Sequence, residues 1–210
     1  MCGILGYQGS FLKENFHIAL KKLKHRGPDN CSSFIDNANQ TYLGHTRLSI
    51  QDTSNNGNQP MVSDNGNYII IYNGEIYNFL SLKKDFLNNQ KFISKTDTEV
   101  ILYLYIKYGE EFVSMLNGIF TICIFDKINK TLILYRDHYG VKPLYFINNS
   151  NGIAFSSEIK ALTEIVQLEH LKEINNEAIY FYLKFLWCPI PGTPYKNIVK
   201  FLPGFMMKIQ

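Results

Sequence analysis

Gly118-Ile-Phe-Thr-Ile-Cys-Ile-Phe125, Thr131-Leu-Ile-Leu-Tyr135, Leu144-Tyr-Phe-Ile147 and Gly152-Ile-Ala-Phe155 follow one another with no helical stretch between them. Two of their connections are short turns, around Asn129 and over Asn149–Gly152. Four apolar strand signals in a row, each bounded by turn residues, exclude a βαβ alternation and favour α+β. Working outward, Ser157–Ile165 and Asn176–Leu186 read as helices, and the Pro- and Gly-rich stretch from Cys188 onward reads as irregular. On the other side, a capping-box pair (Thr96 and Glu99) opens a periodic apolar helix ending near Tyr108-Gly109. A helix from an Asn78 cap to about Asn88 precedes it. Earlier still, Met61-Val62 and Tyr68–Tyr72 flank the hairpin turn Asp64-Asn65-Gly66. Cys2–Gln8, Cys31–Ile35 and Thr41–Ile50 read as strands, with a helix over Phe11–His25. That makes eight or nine strands with helices grouped between them.

The 210 residues are 46% hydrophobic and 19% charged, which suits a globular core and argues against disorder. A net charge of +3 with no basic stripe argues against nucleic-acid binding. No apolar run reaches the ~20 residues of a membrane span, and Met1-Cys2-Gly3-Ile4-Leu5-Gly6 lacks the basic start of a signal peptide. The four cysteines, Cys2, Cys31, Cys123 and Cys188, have no zinc spacing, so no metal site and a reducing, cytoplasmic setting are expected. Of the 21 Lys plus Arg, only three are Arg: Arg26, Arg47 and Arg136. Arg has a planar fork that binds carboxylate with two hydrogen bonds, which Lys lacks. Each of the three marks a place to look.

Four segments contain groups able to do chemistry. Cys2 follows Met1 directly and runs at once into an apolar strand, so the terminus is expected to be ordered. Removal of Met1 would leave a thiol beside its own α-amine, whose pKa of ~8 makes it a usable base. In Gly44-His45-Thr46-Arg47-Leu48-Ser49-Ile50, Arg47 needs a partner, either a structural carboxylate or that of a substrate; His45 reads as a hydrogen-bonded structural residue. In Tyr72-Asn73-Gly74-Glu75-Ile76-Tyr77-Asn78, a strand-end Gly74 N–H and the Asn73 amide could both point at an oxyanion, or the segment could be a plain turn. Asp97 is either an ordinary helix cap or a carboxylate for a substrate ammonium. Arg26-Gly27-Pro28-Asp29 and Arg136-Asp137-His138-Tyr139-Gly140 read as turns with built-in ion pairs and structural roles.

Taken in order, these segments, together with Ser156-Ser157-Glu158-Ile159-Lys160 and Pro191-Gly192-Thr193-Pro194-Tyr195, resemble the class II glutamine amidotransferase domain, an N-terminal-nucleophile hydrolase. The closest resemblance is to the glutaminase domain of glutamine-hydrolysing asparagine synthetases. It implies a four-layer αββα sandwich. It further implies Cys2 as nucleophile, Asn73 and Gly74 as the oxyanion hole, and Arg47, Leu48, Ile50, Asn73, Glu75 and Asp97 around glutamine. Residues 2–165 would form the glutaminase domain, and 166–210 an extension toward a synthetase domain or subunit that receives ammonia. ATP and Mg would serve only that second part, since no Ser-Gly-Gly or G-x-x-x-x-G-K-[ST] phosphate loop occurs here. A homodimer is compatible with this reading; an amidotransferase domain serving another carboxylate acceptor and a catalytically silent amidotransferase-like module are its alternatives.

Overall fold

The computed structural model describes residues 1–210, the side chain of Leu168 excepted. Its core consists of two antiparallel sheets packed face to face. The first has the order β10-β8-β9-β1-β3-β2 and the second β11-β7-β6-β5-β4. The strands are β1 Gly3–Gly9, β2 Asn30–Asp36, β3 Thr41–Arg47, β4 Met61–Val62, β5 Tyr68–Ile76, β6 Gly118–Asp126, β7 Thr131–Arg136, β8 Tyr145–Asn149, β9 Gly152–Ser156, β10 Val199–Lys200 and β11 Met206–Ile209. The helices are α1 Phe16–Lys21, α2 Phe79–Phe86, α3 Asp97–Tyr108, α4 Ile159–Ile165 and α5 Asn176–Phe185.

Side-chain alternation explains the layering. In a strand, successive side chains point to opposite faces. Ile69, Ile71, Cys123, Phe125, Leu132 and Leu134 meet Ile4, Leu43, Ile153 and Phe155 between the sheets. Their neighbours Ile70, Tyr72, Ile122, Ile124, Ile133 and Tyr135 face outward under α2 and α3. Leu5, Tyr7, Tyr42 and Ala154 turn outward from the first sheet under α1 and α4. Both faces of the central strands are therefore buried, and continuous apolar runs result instead of alternation with polar residues. This is the αββα sandwich.

Several local expectations are corrected. The first helix is shorter than Phe11–His25: Leu12 N–H bonds to Ile165 O (3.0 Å), and Thr46 Oγ1 donates to Leu23 O (3.1 Å), so both flanks are loops tied to other elements. The third strand stops at Arg47, because its partners run out at Gly3 opposite Thr46 and at Asn30 opposite Arg47. β5 continues past Tyr72 to Ile76, held by β6 down to the Ile76–Gly118 pair. Gly74 therefore lies inside a strand. A Cβ there would sit 2.4 Å from the Ile119 carbonyl, so close strand approach demands glycine.

Neither expected cap forms. Asn78 bonds Met115 O and Asn117 N–H across the fold (both 2.9 Å). Glu99 accepts from Ile93 N–H and Ser94 N–H, bypassing Thr96. The turn ion pairs are also absent: Arg26 reaches Glu158 (3.1 Å), and Arg136 donates to the carbonyls of Lys142, Gly140 and Phe201. Both arginines are nonetheless structural, as expected. The Pro- and Gly-rich tail supplies edge strands to both sheets, β10 on β8 and β11 on β7. Among the described residues, no helix is long and apolar enough to cross a membrane.

Candidate active site

Cys2 lies at the start of β1, which is interior to its sheet between β9 and β3. Hydrogen bonds on both sides leave the terminus little freedom. Ser157 Oγ accepts from Ile4 N–H (3.0 Å) and Arg26 Nε donates to the Cys2 carbonyl (3.0 Å). The thiol rests against the backbone of Leu48, whose N–H points at Sγ (3.5 Å). Burial raises the thiol pKa, while the Leu48 hydrogen bond and the positive chain terminus pull it down. The Cys2 side chain opens into a cleft of about 140 Å³.

β5 forms another part of the cleft. Asn73 is 2% exposed, and its Nδ2 has no hydrogen-bond partner among the described residues. An unsatisfied buried donor costs roughly 1–3 kcal/mol, so it marks either a strained site or a ligand position. Asn73 and Gly74 both line the cleft. Next along the strand, the Glu75 carboxylate accepts from Gln51 Nε2. Gln51 Oε1 accepts from Asp97 N–H (3.0 Å), so this one side chain joins β5 to the first turn of α3.

Asp97 Oδ2 accepts from Tyr72 OH (2.7 Å) and from Ile76 N–H (2.9 Å). Burial pushes its carboxyl up to about 6, against those hydrogen bonds, and Glu75 adds to the rise. No cation pairs with either carboxylate among the described residues. Arg47 shows the complementary condition. It is 5% exposed and donates to Ser54 O (2.7 Å), Asn58 Oδ1 (2.9 Å) and Asp52 O. No carboxylate lies within ion-pairing distance of it among the described residues. The loop 48–60 thus orients the guanidinium with neutral oxygens and leaves its charge uncompensated. His45 is structural, as expected: its Nε2 bonds Tyr72 O (3.1 Å), and burial pushes it down to about 3, so the ring is neutral.

The residues singled out in the sequence therefore meet at one place. Cys2, Arg47, Leu48, Ile50, Asn73, Gly74, Glu75 and Asp97 all line the cleft. The sequence reading missed Gln51, Gly57, Gln59, Tyr72 and Lys142, which line it too. A Cβ at Gly57 would meet the Arg47 guanidinium and force it to shift. Gln59 ties three elements together: its Oε1 accepts from Tyr72 N–H (2.6 Å), and its Nε2 donates to Thr98 Oγ1 (3.1 Å). Among the described residues, no group of three or more His, Cys, Asp or Glu is arranged to hold a metal ion.

Comparison with known proteins agrees with this geometry. The chain is 39% identical over 219 residues to a protein named putative asparagine synthetase [glutamine-hydrolyzing] 2 of Methanocaldococcus jannaschii, covering 95% of this chain and 42% of that protein. It is 42% identical over 213 residues to asparagine synthetase [glutamine-hydrolyzing] 2 of Oryza sativa subsp. japonica, covering 95% and 35% respectively. The chain thus spans less than half the length of these relatives. Among solved structures, glutamine phosphoribosylpyrophosphate amidotransferase of B. subtilis superposes with a TM-score of 0.66 at 22% identity, over 78% of this chain and 43% of that one. That likeness shows a shared fold. A family model described as glutamine amidotransferase domain matches residues 1–210, and the chain belongs to that family.

Proposed function

We propose that this chain hydrolyses glutamine to glutamate and ammonia through a thioester on Cys2. The observation that carries the reading is the unpaired charge of the cleft. A cation lacking a carboxylate (Arg47) and two carboxylates lacking a cation (Glu75, Asp97) line one pocket with a thiol. This pattern complements an α-amino acid zwitterion. Arg47 would clamp the α-carboxylate, and Asp97 with Glu75 would hold the α-ammonium. Leu48 and Ile50 would wall the pocket.

The side-chain carboxamide would then face Cys2. Once Met1 is removed, the α-amine of Cys2 takes the thiol proton, and sulfur attacks the amide carbon. Asn73 Nδ2, unpartnered in the free chain, and Gly74 N–H would receive the oxyanion. Collapse expels ammonia, with the amine returning the proton to the leaving group. Water then cleaves the γ-glutamyl thioester, releasing glutamate and regenerating the thiol.

The ammonia would pass to an ATP-using synthetase part that amidates a carboxylate, aspartate by the names of the relatives. ATP and Mg would belong to that part, and the setting would be cytoplasmic. Residues 166–210 would lead toward it. Leu183, Leu186 and Trp187 are 73%, 81% and 58% exposed, and an apolar surface of that kind suits a covering partner. The decisive assay is ammonia release from glutamine by the Met1-free chain and by its Cys2→Ala variant. The Met1-free chain is expected to turn over glutamine and its Cys2→Ala variant to be inert; turnover by Cys2→Ala would refute the reading.

A further inference from the structure

One charged chain reaches the nucleophile from behind, outside the cleft. β9 ends at Ser156, and Ser157 and Glu158 lead on into α4. Both serines are fully buried and grip Ile4: Ser156 Oγ donates to its carbonyl (3.1 Å), and Ser157 Oγ accepts from its N–H (3.0 Å). Glu158, the next residue, turns toward the loop after α1. Its Oε1 accepts from Arg26 Nη1 (3.1 Å) and lies 2.8 Å from His25 Nε2, while Oε2 pairs with Lys160 Nζ (3.1 Å). Arg26 is 8% exposed at its side chain, and its Nε donates to the Cys2 carbonyl. Burial alone would raise the Glu158 carboxyl; hydrogen bonds from Arg26, His25 and Lys160 outweigh it and hold the group below its ordinary range. Glu158 lines a separate hollow with Arg26, Pro143, Tyr145 and Lys160 and has no wall in the substrate cleft.

We propose that Glu158 is a positioning residue for Cys2: by fixing the guanidinium of Arg26, it fixes the carbonyl of the nucleophilic residue and so the direction of its thiol relative to Asn73 and Gly74. The inference rests on the glutaminase reading above. The Arg26 guanidinium is anchored at two points, Nη1 on Glu158 Oε1 and Nε on the Cys2 carbonyl; without Glu158 it is tethered at Nε alone and can swing. The charge-assisted Nη1–Oε1 bond provides that restraint. Glu158 touches no part of the proposed glutamine pocket, so its loss should spare substrate affinity and slow the chemical step.

The test uses Glu158→Gln, Arg26→Gln and the double variant, with Glu164→Gln as control. Glu164 pairs with Lys22 across the exposed α1–α4 face at 3.3 Å and has no link to Cys2. In Glu158→Gln, kcat should fall about tenfold or more while the glutamine KM stays within about twofold, since small misplacements of a reacting group cost orders of magnitude. Amide exchange should quicken in the 2–6 segment alone. In the Arg26→Gln background the second change should cost little more, because Glu158 acts through Arg26. The control should leave all three readouts unchanged. If Glu158→Gln unfolds the chain, Glu158→Asp keeps the charge, shortens the reach, and should show the same kcat loss in milder form. An unchanged kcat and exchange rate, multiplicative losses in the double variant, or an equal loss in the control overturns the inference. If the Met1-free parent chain has no glutaminase activity, the functional reading fails, and the exchange measurement by itself decides whether Glu158 orders the terminus.

Discussion

Arg47 and Asp97 line the same cleft as a buried cation and a buried carboxylate, each 5% exposed, and they do not pair with each other. Arg47 is oriented by Ser54 O, Asn58 Oδ1 and Asp52 O, and Asp97 by Tyr72 OH and Ile76 N–H. Leaving two opposite buried charges apart costs desolvation without the Coulombic return of an ion pair. A zwitterionic ligand would supply that return to both at once.

Arg47→Lys keeps the charge and loses the fork. The glutamine KM should rise roughly tenfold with kcat less affected, as for loss of binding common to the ground and transition states. Gly57→Ala should act in the same way without touching any ionisable group, because its Cβ would displace Nη2. Steady-state kinetics on both variants checks this; an unchanged KM in either removes Arg47 from the carboxylate role.

Asp97 predicts a pH dependence. Its carboxyl titrates near 6 in the free chain because of burial and the neighbouring Glu75. Only the ionised form attracts an ammonium, so kcat/KM for glutamine should fall as pH drops through about 6, about tenfold per unit below it. The stability sign is opposite. A raised carboxyl pKa favours the fold most at acid pH, below the ordinary 3.8, and that contribution is lost as pH rises through about 6. Asp97→Asn should therefore abolish the acid limb and most of the activity at neutral pH, without lowering the unfolding temperature. A flat kcat/KM between pH 5 and pH 7 in the unmodified chain would contradict this assignment.

Asn73 separates catalysis from stability in another way. Since Nδ2 has no partner in the free chain, Asn73→Ala breaks no hydrogen bond made by that atom. Removal of one oxyanion donor typically costs ~10²–10³ in kcat. The expected outcome is that loss with a nearly unchanged KM and an unfolding midpoint within a few degrees of the parent. A KM effect of the same size would mark Asn73 as a ground-state contact instead.

The order in which these residues became visible has a physical basis. Cys2 and Asp97 stand at boundaries of regular elements, a strand beginning at the terminus and a helix start, where local patterns are readable. Asn73–Glu75 lie inside β5, and their Asn-Gly-Glu run reads as a strand end only because the close backbone approach there needs a glycine. The α+β class is legible in the succession of strand signals; the αββα layering is implied only by the resemblance, and the structure shows why the apolar runs are continuous, since both faces of the central strands are buried. Gln51, Gly57 and Gln59 lie on the polar 48–60 loop, which has no periodicity. Their importance comes from what they touch across the fold: the Glu75 carboxylate, Arg47 Nη2, and the pair Tyr72 N–H and Thr98 Oγ1. β10 and β11 were invisible for the same reason, since two and four residues pair only because β8 and β7 offer open edges. The expected Arg26–Asp29 pair failed because Glu158, 132 residues along the chain, competes better than a turn neighbour.

Met1 provides the sharpest test of the nucleophile. It is 57% exposed, lines the cleft beside Cys2, and places its sulfur 3.8 Å from Arg26 Nη2. While it is present, the Cys2 nitrogen is an amide and cannot accept the thiol proton, and burial keeps the thiol pKa high. Trimming Met1 creates an α-amine of pKa ~8 on the nucleophile itself. Ammonia release should therefore scale with the fraction of Met1-free chains measured by intact mass, with no activity at zero fraction. Activity of the trimmed chain should also rise with pH toward ~8 as the amine loses its proton. Full turnover from chains that retain Met1 would show that the base lies elsewhere in the cleft.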